Sequence, residues 1–195
     1  MLLLAPLASH AQNDSKYGET EEQQLLCKEA LSVYKSYKKQ KNYDEAYIQW
    51  RKACEVCPET ASEGLYADGT SFIGKELKKV DAEDPRYAVL VDSLMYLHDK
   101  RMELYPSTKR SPNNRCVVLG RKATDFYKYN KDAHQEAYTM FKESLDCLGA
   151  EASATTLYQY YTASFYTMKR SLKGDTLAQS NMRAQMLTDY LNLVD

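Results

Sequence analysis

The stretch Asn42-Tyr43-Asp44-Glu45-Ala46-Tyr47-Ile48-Gln49-Trp50-Arg51-Lys52-Ala53-Cys54-Glu55-Val56-Cys57-Pro58 decides the fold. Its apolar and small residues are Tyr43, Ala46, Tyr47, Trp50, Ala53, Cys54 and Cys57, at offsets 0, 3, 4, 7, 10, 11 and 14. That spacing is one face of an α-helix carried through four turns. Asp44 and Glu45 fall in the first turn, where the helix dipole favours negative charge. Pro58 stops the helix. Upstream, Leu26, Ala30, Val33, Tyr34 and Tyr37 give a second apolar face, so the two segments form a helical hairpin.

Working outward, the periodicity predicts helices over 21–39, 43–57, 59–79, 85–105, 115–129, 132–148, 151–172 and 175–194. They group into antiparallel hairpins over about 21–57, 59–105, 112–148 and 151–194. In the second hairpin the stripes are Leu65, Phe72, Ile73 and Leu77, then Val89, Leu90, Leu94, Leu97, Arg101 and Leu104. In the fourth they are Leu157, Tyr161, Ser164, Phe165 and Met168, then Leu177, Met182, Met186, Leu187, Tyr190, Leu191 and Val194. Gly149 and Gly174 are stop signals, and 107–114 reads as an exposed polar loop. In the third hairpin Ala137, Phe141 and Ser144 repeat the series Ala46, Trp50, Ala53.

A small residue, a large aromatic, a small residue and a proline at Ala46, Trp50, Ala53 and Pro58 resemble the second helix of a tetratricopeptide (TPR) repeat. Tyr37 falls on that family's aromatic position near the end of the first helix. The resemblance implies an all-α, TPR-like α-solenoid of about four antiparallel hairpins over 21–195, with a globular helical bundle as the alternative. The second helices begin near 43, 85, 132 and 175, wider spacings than the family's 34 residues. In this family the first helices line a groove. In this chain that implies Lys28, Leu31, Lys35, Lys38 and Lys39, with Tyr158 and Tyr161 contributing from the fourth hairpin. Such a groove suits a protein or peptide with an acidic segment. Leu31 stands where the family's carboxylate clamp needs a polar side chain, so that specialised clamp is not implied. The same lysines also read as helix-end charges placed by the dipole.

The 195 residues include seven Gly, five Pro and seventeen Tyr, a composition of helices with short turns. A net charge of −1 argues against general affinity for nucleic acid. No apolar run is long enough for a transmembrane segment. Residues 1–11 read as an export signal ending in Ser9-His10-Ala11, truncated because its basic region is missing. Residues 12–20 read as a flexible leader. An exported chain meets an oxidising, periplasm-like compartment.

Five cysteines remain to be read. Cys54 and Cys57 form a CxxC pair, but it closes a helix, where the dipole disfavours thiolate. In repeat register, Cys27 faces the end of its hairpin at Cys54 or Cys57, and Cys116 faces Cys147. Disulfides Cys27–Cys54 (or Cys27–Cys57) and Cys116–Cys147 are therefore expected, each contributing roughly 3–4 kcal/mol. Five small buried apolar side chains are the plain alternative. His98 and His134 fall on different hairpins without partner ligands, so no metal site is expected. No phosphate loop, dinucleotide fingerprint, catalytic triad motif or cofactor motif is present. The reading is a non-enzymatic, envelope-located TPR scaffold that binds a protein or peptide. Its alternatives are a glycan-uptake component of the outer membrane and a thiol-redox protein using Cys54 and Cys57. The apolar helix over 175–194 needs a cover: further chain, a partner or a second copy.

Overall fold

The computed structural model describes residues 15–194. The protein is all-α. Its described helices are α1 (Glu21–Lys39), α2 (Tyr43–Val56), α3 (Glu63–Glu76), α4 (Pro85–Leu104), α5 (Asn114–Tyr129), α6 (His134–Leu148), α7 (Ala154–Tyr166) and α8 (Thr176–Val194). Short 3-10 turns occupy Ser15–Tyr17, Leu77–Lys79 and Gly149–Glu151. A π-helix follows α7 at Thr167–Ser171. Among the described residues there is no strand, only an isolated bridge between Thr108 and Ser111. None of these helices is long and apolar enough to cross a membrane. The export signal expected over 1–11 lies outside the described residues.

Local chemistry sets the helix ends. Thr20 and Gln23 form a reciprocal capping box at the start of α1, each side chain accepting the other's backbone N–H at 3.2 Å. At the far end Lys41 takes the left-handed conformation (φ 61°). The N–H groups of Lys41 and Asn42 then reach back to Lys38 and Tyr37, the pattern of a Schellman stop. Asp84 caps α4 and Ser153 caps α7. The polar segment between α4 and α5 is pinned by Asn114 Nδ2, which donates to the Tyr105 carbonyl at 2.7 Å.

The chain forms two compact units, one ending at Phe72 and one beginning at Ile73, so the division falls inside α3. In the first unit α1 packs on α2. Cys27, Leu31 and Tyr34 meet Ala46, Trp50 and Ala53 in the buried seam, and the early turns of α3 add Leu65, Tyr66 and Phe72. Trp50 Nε1 donates to the Leu65 carbonyl at 2.7 Å. Its ring lies 5.8 Å from Tyr47 and 5.9 Å from Phe72. Leu31 is thus core, not groove lining.

In the second unit each helix from α4 to α7 packs mainly on its neighbour in sequence, and α5 also touches α7. The core is Ala123, Ala137, Phe141, Leu145, Tyr160 and Ala163. At Gly120, α5 lies close against both α6 and α7. A Cβ there would stand 2.8 Å from Ser144 Oγ and 3.0 Å from Thr156 Oγ1.

Two stripes differ from the sequence reading. On α4 the buried face is Val91, Leu94, Leu97, His98, Arg101 and Met102, while Val89 is exposed. On α7 the buried face is Thr156, Tyr160, Ala163 and Ser164, continued by Thr167 of the π-helix, and Phe165 is exposed. Hydrophobicity alone selected Leu157 and Phe165. Close helix approach selected the small and hydroxyl-bearing residues instead.

Candidate functional site

Helix α6 turns Tyr138, Thr139, Lys142 and Asp146 to its outer side, toward α8. Three cavities adjoin along that side. One of about 490 Å³ is lined by Tyr138, Thr139, Lys142, Glu143, Asp146 and Cys147. A second, about 250 Å³, is lined by Lys142, Asp146, Tyr160, Asp189 and Asn192 among others. A third, about 340 Å³, reaches from Gln135 and Tyr138 to Thr167 of the π-helix and to Asn181, Met182 and Gln185 of α8.

One carboxylate organises the middle of this cleft. Asp189, on the inner face of α8, accepts the Tyr160 hydroxyl, Gln185 Nε2 at 2.7 Å and Lys142 Nζ at 3.4 Å. Lys142 also donates to Asp146 at 2.7 Å. The ring of Tyr138 stacks on Tyr160 at 5.5 Å. Burial works against the charged Lys142 ammonium, but the hydrogen bond to Asp146 and the charges of Asp189 and Asp146 outweigh it and hold its pKa up. Burial pushes the Tyr138, Tyr160 and Tyr161 hydroxyls up as well, with Asp189 adding to each. At neutral pH the phenols stay protonated and the lysine stays charged. The cleft is built for hydrogen bonding and ion pairing, and none of these groups is tuned to exchange a proton.

At the other end of α6, His134 is buried and stacks on Tyr166 with ring centroids 5.1 Å apart. Its Nε2 faces Arg170 Nη1 at 3.3 Å and its Nδ1 faces the Tyr127 hydroxyl at 3.0 Å. A guanidinium only donates, so Nε2 accepts, and the neutral ring carries its proton on Nδ1. Burial and the Arg170 charge both push the His134 pKa down. On α4, buried His98 joins Nε2 to Asp125 Oδ2 at 2.9 Å. Among the described residues, no group of three or more His, Cys, Asp or Glu side chains stands where it could hold a metal ion.

The lysines selected from the sequence all lie on α1, in the first unit. Lys38 pairs with Asp68. Lys28 and Lys35 lie over the rings of Tyr17 and Tyr34, at 5.4 and 5.9 Å, and Lys39 is exposed at the end of α1. Tyr158 and Tyr161 belong to the second unit. Tyr158 is 69 % exposed, while Tyr161 packs edge-on against Tyr160 at 5.1 Å.

The disulfides are Cys27–Cys57 and Cys116–Cys147. Cys54 is a free, exposed thiol, which corrects its assignment to a disulfide. The helix ends at Val56, and the extended backbone of Cys57 returns the chain to the second turn of α1. Cys54, still inside the helix, faces outward. The surrounding chain and Glu55 push its thiol up to about 11.

The α6–α8 cleft was missed because it lies on second helices of hairpins, not first ones. One signal was present in the sequence. Met182, Gln185 and Asp189 share a helix face in an otherwise apolar segment, and a carboxylate on an inward stripe needs partners. Compared with protein-family models, with curated proteins and with solved structures, the chain matches none.

Proposed function

We propose that the chain is a non-enzymatic, TPR-like scaffold of an exported compartment, the bacterial cell envelope, and that it docks a protein or peptide segment along the outer side of α6. The observation that carries this reading is the run of adjoining cavities lined by Tyr138, Thr139, Lys142 and Asp146. An aromatic surface beside fixed donors and acceptors is the chemistry of a peptide-docking face. Two disulfides support an oxidising location. The lysines of α1 are a weaker candidate for an acidic partner, since three of them already face a carboxylate or an aromatic ring. Thiol-redox work is disfavoured: Cys57 is bonded to Cys27, and the Cys54 thiol is pushed up to about 11.

The test is affinity capture from an envelope fraction with the wild-type chain, Tyr138→Ala and Lys142→Glu in parallel. A partner held by wild type and lost from both variants is the expected result. Capture that ignores both substitutions, or insulin reduction that is lost in Cys54→Ser, overturns the proposal.

A further inference from the structure

The cavity at the Thr167 end of the cleft has no charged side chain in its lining. Gln135, Asn181 and Gln185 bring three carboxamides to it, Thr167 brings a hydroxyl, and Tyr138 and Met182 bring apolar surface. Thr167 is only 2 % exposed, yet its Oγ1 has no hydrogen-bond partner. Thr124, Thr139, Thr162 and Thr188 each donate to the carbonyl four residues back. Thr167 does not. It opens the π-helix, and its backbone N–H already takes the carbonyls of Ala163 and Ser164. π-Helical turns of this kind are frequent at functional sites. Gln185 spends Nε2 on Asp189, which leaves its Oε1 as an acceptor.

The lining constrains what enters. An ammonium or carboxylate would find no counter-charge in that lining. A purely apolar group would leave the Thr167 hydroxyl and the Gln185 carbonyl unmet. A carboxamide offers two N–H donors and an acceptor oxygen, and it pairs with another carboxamide through two hydrogen bonds. We infer that this cavity is a subsite for the side-chain carboxamide of an Asn or Gln in the docked segment. The inference rests on the peptide-docking reading of the cleft.

Peptides selected from a random display library on the full chain provide the test. Synthetic copies of the winners are titrated against wild type, Tyr138→Ala and Thr167→Val. The expected winners share an Asn or Gln at one position, bind in a Tyr138-dependent way, and lose about tenfold in affinity when that residue becomes Leu. Thr167→Val should abolish the preference for Gln over Leu while leaving Tm equal or higher, because it removes an unpaired buried hydroxyl. Winners that need Tyr138 but show no carboxamide preference overturn the subsite and leave the scaffold reading standing. No peptide binding, or binding indifferent to Tyr138→Ala, overturns both. Neutral saccharides that shift the NMR signals of Thr167 and Asn181 where the peptides do not would make the cavity a sugar site and overturn the inference.

Discussion

Cys27 and Cys57 are 30 residues apart, Cys116 and Cys147 are 31, and each pair ties the start of one helix to the end of the next. Between those ties the α1–α2 and α5–α6 hairpins are filled differently. Four residues after Cys27 stands Leu31, and four after Cys116 stands Gly120. The first hairpin holds its neighbour off with bulk: Tyr34, Tyr47, Trp50 and Phe72 make one aromatic cluster. The second lets its neighbour in, with Gly120, Ala123, Ser144 and Thr156 around a point of close approach. The difference shows that the same covalent brace tolerates two ways of seating a third helix. Aromatic spacing tolerates substitution through rotamer adjustment, whereas close approach depends on the absence of atoms.

The largest effect that separates the two hairpins is expected from their disulfides. Replacing both cysteines of either pair by Ala should cost roughly 3–4 kcal/mol, read by urea unfolding. The two should differ in accessibility. Cys27 is fully buried whereas Cys147 is exposed, so mild reductant should open Cys116–Cys147 first, as mass spectrometry after alkylation would show. Equal rates would mean that both hairpins breathe alike.

Next comes Gly120→Ala, expected to cost about 1–3 kcal/mol by overpacking against Ser144 and Thr156. If it is neutral, the close approach is not a packing constraint. On the other side of the comparison, Trp50→Phe removes the donor to the Leu65 carbonyl and should cost about 1–2 kcal/mol, again by urea unfolding. Phe141→Trp would overfill a fully buried position of the α5–α6 seam and should destabilise it rather than gain the reciprocal amount.

The smallest effect is a pH dependence centred on His134 of the α5–α6 hairpin. Burial and Arg170 depress the His134 pKa below 6.5 in the folded protein. The unfolded chain therefore takes up the proton first. Stability from this group is complete above about pH 6.5, falls as pH drops toward the folded value, and levels off below it. His134→Gln should flatten that part of the curve of Tm against pH; an unchanged curve would show that His134 is not the group that sets it.

Much of the fold was legible because helix periodicity is a local property. The bounds of α1 coincide with the expected 21–39, and Ala46, Trp50, Ala53, Ala137, Phe141 and Ser144 are all buried, as their spacing requires. Charge at the helix ends was legible for the same reason. The face of α7 was not, because its register depends on which neighbour comes close and on the π-turn that follows. The choice between Cys54 and Cys57 was not legible either. It turns on whether the last helical turn continues past Val56, a matter of one residue's backbone angles.

The candidate cleft lies further from the sequence still. Tyr138, Lys142, Tyr160, Gln185 and Asp189 come from three helices, and no spacing rule links positions 138 and 189. By itself the sequence determined an all-helical chain, the buried positions Ala46, Trp50, Ala53, Ala137, Phe141 and Ser144, and the cysteines able to brace the helices that carry them, because each follows from a 3.6-residue period or a single turn. Only the tertiary structure decided which helix faces meet and where they part. Packing there is set by side-chain volumes across helices, and an atom missing at Gly120 or a hydroxyl left over at Thr167 has meaning only against its neighbours.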